Sequence, residues 1–164
     1  MTERPQYVTL GVGHEVFALP VEVVQEILDP RPIAHLPQAP AHLLGMIDVR
    51  GRGVPVIDLR RKLGLAPAGP AGASGDGTRI LVLEVPVAGR GLVLGLVADR
   101  VFEVTALDED RLAPPPEIGA RWNSACIAGV GRRGGAFVIV FDLERLLAAD
   151  AVLLPDGAAA GLAA

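Results

Sequence analysis

Gly45 to Leu63 reads GMIDVRGRGVPVIDLRRKL, and this stretch sets the frame for the chain. Met46, Ile47 and Val49 lead into Arg50-Gly51-Arg52-Gly53, and Val54-Pro55-Val56-Ile57 then runs to Asp58. Two apolar runs rich in β-branched residues, divided by a glycine turn, predict a hairpin. Asp58 predicts the cap of a helical turn through Leu59 and Leu63 that Gly64 ends. Arg50 stands at the hairpin tip, where its guanidinium is held between strands and faces water. Such a group suits recognition of a partner's surface better than chemistry on a substrate. The competing structural reading has Arg50 forking onto a carboxylate such as Asp48 or Asp58. Gly45 and Gly51 are the positions where φ > 0 is expected.

Upstream, Tyr7–Leu10 and Val16–Leu19 predict strands around a turn at Gly11–Gly13. Between Pro20 and Asp29-Pro30, apolar Val23, Val24, Ile27 and Leu28 predict a short amphipathic helix. Their β-branching leaves a strand as the alternative. Pro32, Pro37 and Pro40 keep the next segment extended, and Ala41–Leu44 reads as one helical turn. Downstream, residues 66–77 (APAGPAGASGDG) have no large side chain to pack and read as a flexible connection. Arg79–Val85 and Leu92–Val97 predict strands around a Gly89-Arg90-Gly91 turn. Val101, Val104 and Leu107 continue a core face, and Asp108-Glu109-Asp110 reads as a solvated acidic turn before the connector Pro114-Pro115-Pro116. Ile127, Val130 and Ala136–Phe141 supply the last strands, Asp142 caps a helix through Leu147, and the tail 155–164 frays.

The chain repeats itself. Gly45–Asp58 and Gly129–Asp142 both run from glycine through an Arg/Gly turn into a β-branched strand, then Asp-Leu and an arginine-bearing turn. Upstream, Phe17–Pro20 through Val24-Gln25-Glu26-Ile27 matches Val93–Val97 through Val101-Phe102-Glu103-Val104. Two copies of a β-rich unit with glycine turns predict a mainly β chain of two small barrels, since closure removes exposed edges. Residues 66–77 are the natural seam. That places a first subdomain at 6–65, with 142–164 able to pack on it, and a second at 78–141. In the second copy Gly134 and Gly135 stand where the first has Arg50-Gly51.

With 164 residues, 51% of them apolar, the chain can bury a core. A net charge of −4 argues against nucleic-acid binding, and four Phe, one Trp and one Tyr make a poor stacking platform. No apolar run reaches membrane-spanning length, and Met1–Pro5 does not open a signal peptide, so no membrane insertion and a cytoplasmic location are expected. One cysteine, Cys126, allows no internal disulfide.

No catalytic constellation is legible. His14, His35 and His42 lack partners at metal-ligand spacing, so no metal is expected and all three read as surface or loop histidines. Cys126 reads as a small buried hydrophobe. Gly129-Val130-Gly131-Arg132-Arg133-Gly134 satisfies G-x-G-x-x-G, yet a strand follows it where a dinucleotide loop needs a helix. The reading is a binding protein with no cofactor and no enzymatic activity. A β-barrel for small molecules or nucleic acid is the rival of a different class.

Three blocks together, VVQEI followed by LPQAPAHLLGMIDVRGRGVPVIDLRRKLGL, then LVADRVFEV, then IAGVGRRGGAFVIVFDLERLL, resemble the CheW family of chemosensory adaptors over roughly residues 6–148. The resemblance implies two five-stranded SH3-like β-subdomains with short helices. It implies a coupling protein between the cytoplasmic tip of methyl-accepting chemoreceptors and the regulatory domain of the CheA histidine kinase, a relative of the same fold. A related adaptor of a pilus-motility or other non-flagellar pathway is the alternative. Carried over, the family's partner-binding positions fall on Val24, Glu26, Gly45, Arg50, Gly51 and Gly95. The chain departs from the family's Asn-Leu-Arg-Gly turn with Asp48-Val49-Arg50-Gly51, where the added carboxylate is expected to pair with Arg50. Arg52 adds charge to the same tip.

Overall fold

The structure is a computed structural model that describes residues 5–64, 77–109, 111–114 and 126–154. The 66–77 connection falls almost wholly outside these residues, and the 155–164 tail does entirely. Ten strands are described: β1 Tyr7–Val12, β2 Glu15–Pro20, β3 Val24–Leu28, β4 Leu43–Val49, β5 Arg52–Asp58, β6 Arg79–Val87, β7 Arg90–Ala98, β8 Arg100–Thr105, β9 Ile127–Arg133 and β10 Ala136–Phe141. Two short helices follow the two β-hairpins of the repeat, α1 Leu59–Lys62 and α2 Leu143–Leu147.

The strands form two five-stranded sheets, ordered β8-β1-β2-β10-β9 and β3-β6-β7-β5-β4. The mainly β, two-barrel expectation therefore holds, but the sequential division at residues 66–77 does not describe strand membership. Each barrel takes two strands from one half of the chain and three from the other. The repeat itself is real. β8 lies antiparallel on β1 as β3 lies on β6, and β10 lies parallel to β2 as β5 lies to β7. The two copies have exchanged their last three strands.

This exchange explains why several strands are apolar on both faces. On β6 and β7, Ile80, Val82 and Val93 face their own barrel with Ile47, Val54 and Val56. Leu81, Leu83, Leu94 and Leu96 face a larger common core that also takes Leu10, Phe17 and Leu19 of the other barrel. Side-chain alternation with a period of two sends successive residues to the two cores. The Phe17 and Phe141 rings stack in the common core with centroids 4.7 Å apart, and Leu59, Leu143 and Leu147 of the helices close over it.

Local expectations met mixed outcomes. Asp58 and Asp142 cap α1 and α2, accepting from the Arg60 and Arg145 backbone N–H groups at 3.0 and 3.2 Å. The helix expected within Val21–Leu28 is instead a single 3-10 turn, Val21–Val23, followed by β3. The β-branched valines favoured the extended form, and pairing with β6 supplies the backbone partners that a helix would have made internally. Ala41–Leu44 is likewise no helical turn, since β4 begins at Leu43. Leu107 is buried and Val101 half-buried as expected, but Val104 is 55% exposed. Asp108 is more than hydrated: its two oxygens each accept, at 3.0 Å, from Gly134 N and Gly135 N at the β9–β10 tip.

The α2 end of the chain does not pack on the first half alone. Glu144 accepts from Ala88 N in the β6–β7 turn at 3.4 Å, while Asp150 binds His42 and Lys62.

Candidate docking site

The β4–β5 turn has two central residues, Arg50 at φ 53° and Gly51 at φ 81°. Two left-handed residues are the signature of a type I′ hairpin turn, whose twist matches that of the flanking strands. Glycine fits this shape without cost; arginine holds it only under backbone strain. Asp48 stabilises the turn by accepting from Gly51 N at 2.7 Å. Its carboxylate is thus engaged by the backbone and does not pair with Arg50, contrary to the expectation.

Arg50 instead reaches to β3. Its Nη1 lies 2.6 Å from Glu26 Oε2, with the arginine side chain 77% exposed and the glutamate 23%. Neither Asp48 nor Asp58 holds it; the carboxylate that Arg50 meets is Glu26, so an arginine paired with a carboxylate is what the structure has, with a different partner from those named. Glu26 follows an irregularity in the β3–β6 pairing that lies between Val24 and Glu26. The pair borders an open cleft of about 320 Å³, whose lining includes Gln25, Val49, Arg52, Val82 and Glu84.

The other four expected positions divide. Gly51 is in the turn, and no atom stands within 4 Å of where its Cβ would be. Val24 begins β3 and packs, half-buried, against the common core. Gly45, on β4 at φ 149°, lies against Ala34; an added Cβ would sit 2.1 Å from the Ala34 carbonyl oxygen. That close approach lets Ala34 and Met46 exchange two backbone hydrogen bonds of 2.8 Å and cover the β4 edge. Gly95, on β7, would place a Cβ 3.0 Å from Ile80 Cγ2 inside the barrel. The geometry therefore brings Glu26 and Arg50 together at the turn that Gly51 completes, whereas Val24, Gly45 and Gly95 are not among the residues lining that cleft.

A second cleft lies on the other barrel. Arg133 Nε lies 3.0 Å from Glu103 Oε1, and Glu103 occupies on β8 the place Glu26 occupies on β3. Glu103 faces Thr9 of β1 as Glu26 faces Val82 of β6, in each case next to a break in the register. The cleft of about 160 Å³ beside it is lined by Thr9, Val16, Phe102, Phe137 and Val138 among others. Here the character is apolar: Phe102 is 50% and Phe137 63% exposed, with the Arg132 guanidinium 4.5 Å above the Phe137 ring. Comparing the hairpin tips alone hides this pair, because the second arginine sits on the strand just before the turn. The alignment of VQEI with VFEV is the signal that reveals it.

No cluster of three His, Cys, Asp or Glu suited to a metal occurs among the described residues. His42 is not a free loop histidine, since its Nε2 lies 2.7 Å from Asp150 Oδ1. The Lys62 ammonium holds the other oxygen of that carboxylate, at 2.8 Å. Burial pushes the Cys126 thiol up, the Lys62 charge draws it down, and Asp142 pushes it up again. The net rise keeps it a thiol and a poor nucleophile.

The family model described as "CheW-like domain" matches residues 6–151. The chain belongs to the CheW-like domain family. It is 30% identical over 148 residues to the chemotaxis protein CheW of Treponema pallidum (strain Nichols), a match covering 88% of this chain and 82% of that protein. It is 33% identical over 136 residues to protein FrzA of Myxococcus xanthus, covering 80% and 78%. Among solved structures, the scaffolding protein TtCheW of Thermoanaerobacter tengcongensis superposes with a TM-score of 0.78 at 26% identity, over 94% of this chain and 96% of that one. The CheW-like fold thus accounts for both barrels and for the exchanged strands.

Proposed function

We propose that the protein is a coupling adaptor of a chemosensory pathway, bridging the cytoplasmic tip of chemoreceptors and the regulatory domain of a CheA-type histidine kinase. The observation that carries this reading is the Glu26–Arg50 pair, presented at a strained turn on a CheW-like framework. Ala88 holds the same left-handed position in the β6–β7 turn, so what distinguishes Arg50 is its exposed guanidinium meeting Glu26 at the cleft. Arg50 and Glu26 fix the register of a docked segment through charge-assisted bonds, which supply orientation more than affinity. Val24, Gly45 and Gly51 lie on the strands and turn that carry the pair, and Gly95 lies on β7, between them in the sheet. The apolar cleft at Phe102 and Phe137 is the surface for the kinase's homologous domain, which buries exposed aromatic area on contact.

This role is binding without chemistry, and its natural setting is the cytoplasm beside receptor arrays. Among the described residues no helix is long and apolar enough to cross a membrane.

The test is a pull-down with the kinase regulatory domain and a receptor-tip fragment, separately and together. Retention of each alone, and of both in one complex, is expected. Retention of neither removes the adaptor reading.

A further inference from the structure

Among the described residues Asp150 is the one charged side chain that is buried, at 4% exposure. It lies in the 3-10 segment Ala148–Leu153 that follows α2, downstream of β10 in the first barrel. Its two partners belong to the other barrel: His42 precedes β4, and Lys62 ends α1 after β5. Two further bonds run the same way, from Ala88 N to Glu144 and from Arg90 Nη2 to the Leu154 carbonyl, each 3.4 Å. Residues 143–154 are therefore a strap that leaves one barrel and is fastened to the other.

One more polar contact crosses the junction: Asp99, between β7 and β8, accepts from Gly13 N of the β1–β2 turn at 2.7 Å and pairs with Arg60 of α1, with its own side chain 27% exposed. The remainder is the common apolar core. Apolar contact is strong but non-directional, and packed surfaces can slide past one another by small shear. A buried carboxylate bonded through both oxygens to two cationic or polar groups has one favourable position. We propose that Asp150 is a positioning residue that fixes the angle between the two barrels. It thereby holds the Glu26–Arg50 cleft of one barrel and the Glu103–Arg133 cleft of the other in the register that a bridging adaptor needs. The inference rests on the adaptor reading for its consequence, though not for its geometry. Without the clasp each cleft is intact, but the cost of ordering the two barrels falls on the assembly step.

The test uses the full chain with Asp150→Asn and, as a second route to the same loss, Lys62→Gln. Affinities for the kinase regulatory domain and for the receptor-tip fragment are measured singly, then for the second partner joining a preformed pair. Binary affinities within about twofold of wild type, with a loss of about tenfold at the second step, are expected. In parallel, the distance distribution between labels at Leu36→Cys and Ala128→Cys, in a Cys126→Ser background, is expected to broaden in both variants. Equal loss of both binary affinities, an unchanged second step, or failure of both variants to fold would overturn the proposal. If wild type binds neither partner, the adaptor reading falls and the distance measurement alone decides: an unbroadened distribution ends the clasp, a broadened one supports it.

Discussion

Arg50 Nη1 stands 2.6 Å from Glu26 Oε2, joining the β4–β5 tip to a strand at the far side of the same sheet. With Arg50 mostly in water, the pair contributes little to folding, about 0–1 kcal/mol. Arg50→Ala and Glu26→Ala should therefore melt close to wild type while weakening partner binding. The charge-reversed double variant Glu26→Arg/Arg50→Glu should regain stability but not binding, because the partner meets inverted charge. Melting curves and titration calorimetry separate these outcomes; recovery of binding by the reversed pair would make the contact purely structural.

The turn gives a second, sharper contrast. Arg50 occupies a left-handed conformation that costs an L-residue roughly 1–2 kcal/mol, and Gly134 holds the matching place in the other hairpin at φ 60°. Arg50→Gly should leave the protein as stable as wild type or up to about 1 kcal/mol more stable, yet lose partner binding as Arg50→Ala does. Denaturant midpoints read the first effect; a clear destabilisation by Arg50→Gly would show that the guanidinium holds the barrel closed.

The glycines should behave unequally. Gly45→Ala drives a Cβ into the Ala34 carbonyl and breaks the bridge to Met46, so loss of soluble protein or a destabilisation of about 3 kcal/mol or more is expected. Gly51→Ala meets no atom and bears only the φ penalty, roughly 1–2 kcal/mol. Gly95→Ala crowds Ile80 and should cost about 1–3 kcal/mol. Chemical denaturation of the three variants tests the ranking, and a Gly51→Ala protein less stable than Gly45→Ala would contradict it.

Acid should act through Asp150. Burial alone raises its pKa, but the hydrogen bonds and charges of Lys62 and His42 outweigh this and hold the carboxyl below its usual range. A depressed folded-state value means the unfolded chain takes up the proton more readily. The clasp's stabilisation is then complete above the unfolded value, about 3.9, and is lost as pH falls from there through the folded value. The stability gap between wild type and Asp150→Asn, roughly 1.5–3 kcal/mol near neutrality, should shrink only in that acid window. A gap that instead closes between pH 5 and 8 would assign the effect to a different group.

Much of this protein is written locally. The hairpin from Gly45 to Asp58, its repeat at Gly129 to Asp142, both aspartate caps and the solvent-facing Arg50 follow from period-two patterning, β-branching and glycine placement. These are short-range properties that the chain carries wherever it is put. What the tertiary structure alone decided is which groups meet across long separations. The strand identity of Val24–Leu28 depended on β6 lying beside it, and the partner of Arg50 was Glu26 rather than the nearer Asp48 or Asp58. Exchange of the last three strands of each repeat, the choice of Arg133 as the partner of Glu103 and the burial of Asp150 between His42 and Lys62 likewise have no local signature. Pairing of strands and of charges is settled by what the fold brings within hydrogen-bonding distance, and a linear sequence specifies that only through the whole.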